Sequence, residues 1–190
     1  MGKINIGILT GSLRRESYSK KTGLYVAGIL PEDFAAEWID LSGLPLYNQD
    51  YDDEGNPPRE WQVFRQKIKK MDGFLFVTPE YNRSVTAALK NALDVASRPF
   101  GQNAWNGKPG AVISVSPGKL GAFGANHHLR QPMVFLNIPL LQQPEVYLGG
   151  IAELFNDRGE LTDRGTGEFL QTFADAFARW VRTWVKAAGE

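Results

Sequence analysis

The chain has 190 residues, 43% of them hydrophobic and 22% charged, enough for one domain with a full core. Lysine plus arginine and aspartate plus glutamate number 21 each, so the formal net charge is zero and gives no electrostatic case for nucleic acid or an anionic membrane surface. Cysteine is absent, which excludes disulfides, thiolate metal sites and a cysteine nucleophile. The N-terminus has no charged region followed by a long apolar run, and no apolar stretch is long enough to span a bilayer. A cytoplasmic protein without a signal peptide is expected.

Residues 4–9 are apolar, β-branched and bounded by glycine, and read as a buried first strand. Residues 20–30 read as a helix that stops at Pro31, which cannot continue it. Residues 34–41 read as a second strand. Residues 42–57, rich in Pro, Asn, Asp and Gly, read as a long irregular loop, with Asn56 placed to cap the next helix at Pro57 and Pro58. That helix sets Trp61, Phe64, Ile68 and Met71 at steps of three and four. Residues 73–78 (GFLFVT) are apolar throughout, as in a strand buried on both faces.

A helical face follows from Val85 to Ser97, then a loop over residues 98–108 holding Phe100 and Trp105. Residues 110–115 read as a fourth strand and residues 116–124 as a glycine-rich loop. Residues 125–135 read as a helix in which Pro132 demands a kink or a boundary nearby. Residues 140–148 read as a fifth strand, with Pro144 pointing to an edge position. A turn at residues 156–159 precedes a last helix over residues 163–187, lined by Phe169, Phe173, Phe177, Trp180, Val181 and Trp184.

Strands alternating with helices imply an α/β fold: a five-stranded, doubly wound parallel sheet with helices on both faces. The absence of a Gly-x-Gly-x-x-Gly turn favours the flavodoxin-like winding over a dinucleotide-binding Rossmann domain. No repeat or interdomain linker interrupts residues 1–190, so one domain is expected. In such a sheet, ligands bind outside the C-terminal ends of the strands, where the loops after strands one, three and four meet.

The first of these loops is Thr10-Gly11-Ser12-Leu13-Arg14-Arg15-Glu16-Ser17-Tyr18-Ser19. It offers a helix N-terminus, three serine hydroxyls and two guanidinium groups, which suit a terminal phosphate monoester. The same residues also suit an ordinary polar turn with solvated arginines. The second loop, Thr78-Pro79-Glu80-Tyr81-Asn82-Arg83-Ser84, suits a flat heteroaromatic ring: Tyr81 can pack on it, and Asn82 and backbone N–H groups can meet its edge. It also reads as a polar cap loop shaped by Pro79 and Asn82. The third, residues 114–122, has glycines that let backbone approach a ligand, or serve a flexible connector. His127 and His128 are adjacent, hence differently directed on a helix and a poor metal pair. Asp52-Asp53-Glu54 reads as a solvated acidic loop, and no metal site is expected.

The combination of Gly11-Ser12-Leu13-Arg14 with Ser17, Thr78-Pro79-Glu80-Tyr81-Asn82 with Ser84, Ala88-Leu89-Lys90-Asn91-Ala92-Leu93-Asp94, and His128-Leu129-Arg130-Gln131 resembles the NAD(P)H-dependent FMN reductase family, in particular bacterial quinone and chromate reductases. The resemblance extends over nearly the whole chain. It implies non-covalent FMN. Ser12, Arg14, Ser17 and Ser19, with the intervening backbone that includes Leu13 and Tyr18, would hold the phosphate. Pro79, Glu80, Tyr81 and Asn82 would frame the isoalloxazine, and Ser116 and Gly118 would close the site. Arg83, a departure from the family, suits nucleotide phosphates or an anionic acceptor and equally a solvated side chain or an intersubunit contact.

The resemblance further implies hydride transfer from NADPH or NADH to flavin N5 without a protein nucleophile, and then to a quinone, with chromate, azo or nitro compounds as side substrates. It implies a homodimer or homotetramer, to which the many aromatic residues, Trp105 among them, would contribute buried surface. Departures from the family pattern are Ser19, where Asn is frequent, Arg83, where a small or aromatic residue is common, and the Gly121-Ala122-Phe123-Gly124 segment. The rival readings are a flavodoxin-type electron carrier, for which a neutral chain is unusual, and a non-catalytic flavin-binding sensor.

Overall fold

The computed structural model describes residues 2–188. Five strands, β1 (Ile4–Thr10), β2 (Phe34–Trp38), β3 (Gly73–Thr78), β4 (Gly110–Val115) and β5 (Val146–Leu148), form one sheet in the order β2-β1-β3-β4-β5. Every pairing is parallel. This is the flavodoxin-like winding, with its switch point between β1 and β3.

The six helices are α1 (Tyr18–Gly28), α2 (Gln49–Asp53), α3 (Arg59–Lys70), α4 (Ala87–Ala96), α5 (Phe123–Phe135) and α6 (Arg164–Ala188). Alternation along the central strands builds two cores. Phe74, Phe76 and Val112 point to the face covered by Trp61, Phe64 and Ile68 of α3, Leu89 and Leu93 of α4, and Leu129 and Met133 of α5. Leu75, Val77, Ile113 and Val115 point to the other face, where α1 supplies Val26 and α6 supplies Leu170, Phe173, Phe177 and Val181. Strands buried on both faces explain the unbroken apolar runs of β3 and β4.

Several local expectations change. The loop over residues 42–57 contains α2, capped by Asn48, whose side chain accepts the Asp50 N–H at 3.1 Å. Asn56 does not cap α3; Pro58 occupies that position with no side-chain hydrogen bond. Trp105 is fully buried in the core of its own chain, donating Nε1–H to Leu93 O at 3.1 Å, so it is not available to a partner subunit. Asp52 is not solvated. Its carboxylate makes two 2.7 Å hydrogen bonds to Arg65, whose Nε–H donates to Val95 O at 2.8 Å.

β2 stops at Trp38 and β5 is confined to Val146–Leu148, leaving Pro144 outside the edge strand. Pro132 lies inside α5, and the boundary expected near it comes three residues further on, at Phe135. Phe169 and Trp184 of α6 remain partly exposed. No described helix is long and apolar enough to cross a membrane.

Candidate functional site

The phosphate-loop candidate begins where β1 ends. Gly11 N–H donates to Val77 O at 2.9 Å, which ties the loop to β3 across the switch point. A Cβ on Gly11 would lie 2.7 Å from Thr86 Oγ1 and 2.9 Å from Pro79 Cδ, so glycine allows the first loop to pack directly on the second. Ser17 caps α1 by accepting the Lys20 N–H at 3.2 Å, which leaves its own hydroxyl hydrogen free. The first turn of α1 carries no acidic residue, so the positive end of the helix dipole is not offset there. Ser12 Oγ accepts the Arg14 N–H at 3.4 Å.

Ser19 is only 1% exposed, and its hydroxyl has no hydrogen-bond partner among the described residues. A buried hydroxyl left unpaired is unfavourable, and native structures rarely tolerate one without a ligand or water to meet it. Thr22 Oγ1, one turn on, is also unpartnered but does not reach the cavity described next.

The second loop is a two-residue hairpin. Tyr81 and Ser84 exchange N–H···O bonds at 3.2 and 3.0 Å, and both central residues, Asn82 (φ 51°) and Arg83 (φ 63°), are left-handed. Glu80 points back beneath it. Its Oε1 pairs with Arg83 at 3.1 Å and its Oε2 accepts the Ala125 N–H of α5 at 3.0 Å. Ser84 Oγ lies 3.0 Å from His128 Nδ1, a second tie to α5.

In the third loop, Ser116 Oγ accepts the Gly118 N–H at 3.0 Å, and Ile151 N–H donates to Ser116 O at 3.1 Å. A Cβ on Gly149 would fall 2.6 Å from Lys119 O, so this glycine lets the segment after β5 lie against the loop.

The three loops enclose a cavity of about 240 Å³. Of the candidates named above, Ser12, Arg14, Ser17, Tyr18, Ser19, Pro79, Glu80, Tyr81 and Ser116 line it. Leu13, Asn82, Arg83 and Gly118 do not: Leu13 turns outward, 55% exposed, Asn82 and Arg83 form the hairpin tip, and the Gly118 N–H is taken by Ser116. Val115, Pro117 and Ile151 complete an apolar wall that the loop motifs did not indicate. Ile151 arrives through a single 3₁₀ turn, Ile151–Glu153, whose only sequence signal is the preceding Gly149-Gly150 pair. The cavity thus carries hydroxyls, a guanidinium and a helix N-terminus together with the apolar side chains of Pro79, Val115, Pro117 and Ile151. No cluster of metal-ligating side chains occurs among the described residues.

The sequence model of the NADPH-dependent FMN reductases matches residues 4–153, which span all three loops. The chain belongs to this family. A quinone reductase from Pseudomonas putida is 53% identical over 178 residues, covering 94% of this chain and 95% of that protein. A 2-hydroxy-1,4-benzoquinone reductase from a Burkholderia species is 45% identical, covering 94% and 97%. Among solved structures, the flavoenzyme NAD(P)H:(acceptor) oxidoreductase FerB of Paracoccus denitrificans superposes with a TM-score of 0.88 at 35% identity, covering 95% of this chain and 98% of that one. The family residues matched include the whole cavity wall.

Proposed function

We propose that this chain, as one domain over residues 1–190, binds FMN in the three-loop cavity and uses NAD(P)H to reduce quinones. The observation that carries the reading is the unpartnered, buried hydroxyl of Ser19 on a cavity that also holds Arg14 and the Ser17-capped end of α1. These groups fit a phosphate monoester: Ser12, Ser17 and Ser19 donate hydroxyl hydrogens and Arg14 donates a fork of N–H bonds. Pro79, Tyr81, Val115, Pro117 and Ile151 fit a flat ring system.

Bound FMN supplies two-electron hydride chemistry between NAD(P)H and an acceptor. The protein's part is to hold and to shield. Backbone N–H groups of the second and third loops would meet the ring's polar edge, where fixed dipoles favour negative charge. Tyr81, 47% exposed, stands at the mouth where nicotinamide and acceptor would alternate. The Arg83 guanidinium beside it would draw anionic acceptors, chromate included; azo and nitro compounds are further side substrates.

Homo-oligomerisation to a dimer or tetramer is supported by exposed apolar side chains on adjoining segments, Phe100 at 90%, Val134 at 79% and Phe135 at 80%. The location is taken to be cytoplasmic.

The deciding experiment is anaerobic titration of the FMN-loaded protein with NADPH, followed by visible absorbance. Bleaching of the flavin band at one equivalent is expected. A band that persists favours the electron carrier or sensor, and failure to take up FMN overturns the reading of the cavity.

A further inference from the structure

Three polar side chains behind the third loop form one hydrogen-bonded chain. Asn126 of α5 and Ser114 of β4 are both fully buried, and Arg130 stands one helical turn beyond Asn126. Arg130 Nε–H donates to Asn126 Oδ1 at 2.9 Å, Asn126 Nδ2 lies 3.2 Å from Ser114 Oγ, and Ser114 Oγ lies 2.7 Å from Gly121 O. The direction of the chain follows from its two ends. A guanidinium only donates, so it meets the amide oxygen of Asn126 and leaves the amide nitrogen to donate to Ser114. A carbonyl only accepts, so Ser114 gives its own hydrogen to Gly121 O, which is much nearer than Val146 O at 3.4 Å. Every donor thus points from the guanidinium toward the loop, the arrangement in which hydrogen bonds polarise and strengthen one another.

The carbonyl at the end of this chain belongs to a strained piece of backbone. Gly121 (φ 56°) and Ala122 (φ 60°) are both left-handed, which is unfavourable for an alanine. A Cβ on Gly121 would fall 2.6 Å from the Tyr147 carbonyl carbon, so the turn lies directly on β5. Gly121 N–H donates to Gly118 O at 3.3 Å, and at the other end of the loop Ser116 N–H donates to Leu148 O at 2.9 Å. The segment held between these points carries Ser116 and Pro117, which line the three-loop cavity. Ser114, Asn126 and Arg130 do not line it. Strained backbone persists only where its surroundings over-determine it, and here it closes the loop that walls a ligand site.

We infer that Ser114, Asn126 and Arg130 are positioning residues, which fix residues 116–122 as the third wall of the cavity and thereby set how fast hydride passes between NAD(P)H and the bound cofactor. The inference rests on the FMN reading of that cavity. Ser114 acts on the loop directly, Asn126 through Ser114, and Arg130 through Asn126. The phosphate end of the cavity is built on the first loop, which the chain does not touch.

The test compares Ser114→Ala and Arg130→Met with the parent in two measurements. The first is amide hydrogen exchange of the flavin-free protein, read segment by segment. In Ser114→Ala, residues 116–122 are expected to exchange about two- to tenfold faster, the weight of one hydrogen bond, while residues 73–78 keep the parental rate. The second is anaerobic rapid mixing of the FMN-loaded protein with NADPH. The limiting rate of flavin bleaching is expected to fall about tenfold, and up to about a hundredfold if the wall moves by about 1 Å. The NADPH concentration that gives half that rate should change little. Arg130→Met keeps the length of the side chain, removes only the far end of the chain of bonds, and should show both effects in weaker form; it carries the test if Ser114→Ala folds poorly.

A purely structural role would lower the urea midpoint and leave the limiting rate of the folded, FMN-saturated protein at the parental value, and that result overturns the inference. Exchange that quickens in β3 as much as in residues 116–122 overturns it too, as does an Arg130→Met protein with parental values in both measurements. A parent that takes up no FMN overturns the reading of the cavity and the inference with it, and this is seen before any variant is compared.

Discussion

Glu80, in the loop after β3, accepts the backbone N–H of Ala125 at 3.0 Å and so caps α5 from another element. The residue at the cap position of that helix, Ala122, is left-handed and offers no side-chain bond. Gly124 leaves the room required, since a Cβ there would lie 2.9 Å from Glu80 Oε2. Glu80→Ala is therefore expected to lower stability by about 1–2 kcal/mol, the range for loss of a helix cap. Glu80→Gln, which keeps an acceptor oxygen, should lose less. Urea unfolding of the three proteins measures both, and equal losses for the two variants would show that charge rather than acceptance matters.

Ser19 separates ligand binding from folding. Its hydroxyl is buried and unpartnered, so Ser19→Ala removes a group that the flavin-free fold does not satisfy. Apoprotein stability should hold or rise slightly, while FMN affinity falls by about 0.5–1.5 kcal/mol. Arg14→Ala, losing a charge-assisted bond, should weaken FMN by about 1.5–3 kcal/mol. Flavin fluorescence titration reads both. Unchanged affinity in either variant removes that residue from the phosphate site.

What the sequence could disclose follows from how local each signal is. β3 and β4 match the runs at residues 73–78 and 110–115 because burial on both faces makes every position apolar and glycine marks each start. The three loops were legible because each directly follows a strand. The helix α2 was not: five residues are too few for periodicity, and its strongest cue was Asn48 at the cap. The fate of Asp52 was invisible because Arg65 stands thirteen residues away, beyond any helical spacing, and only the fold brings the two together. Val115 and Ile151 are ordinary core residues in the sequence. They become cavity wall only because the loop after β5 closes over the loop after β4.

The Tyr147 phenol gives the fold a dependence on alkaline pH. Burial, with the negative charge of the Glu145 carboxylate nearby, pushes its pKa up to about 12, against about 10 in the unfolded chain. Below the unfolded value both states hold the proton and this stabilisation is fully present. Between the two values the unfolded chain loses the proton and the folded one keeps it, so stability falls as pH rises and levels off above the folded value. Urea unfolding from about pH 9 to about pH 12 should show a steeper decline for the parent than for Tyr147→Phe. Parallel slopes would mean that Tyr147 titrates alike in both states.

Arg83 occupies the second position of a hairpin turn whose geometry favours glycine. A left-handed conformation costs a non-glycine residue about 1–2 kcal/mol. Replacement by glycine would relieve that strain, but about 0.5–1 kcal/mol returns as backbone entropy. The Glu80 pair is lost as well; with the guanidinium 79% exposed, that is worth about 0–1 kcal/mol. Stability of Arg83→Gly should therefore stay within about 1 kcal/mol of the parent. If the guanidinium draws anionic acceptors, the KM for chromate should rise about two- to fivefold, the weight of one exposed charge, and by less for a neutral benzoquinone. Steady-state kinetics with the two acceptors separates the possibilities. A matched change in both KM values would take Arg83 out of acceptor recognition, and a stability loss beyond about 2 kcal/mol would make it a strut of the hairpin instead.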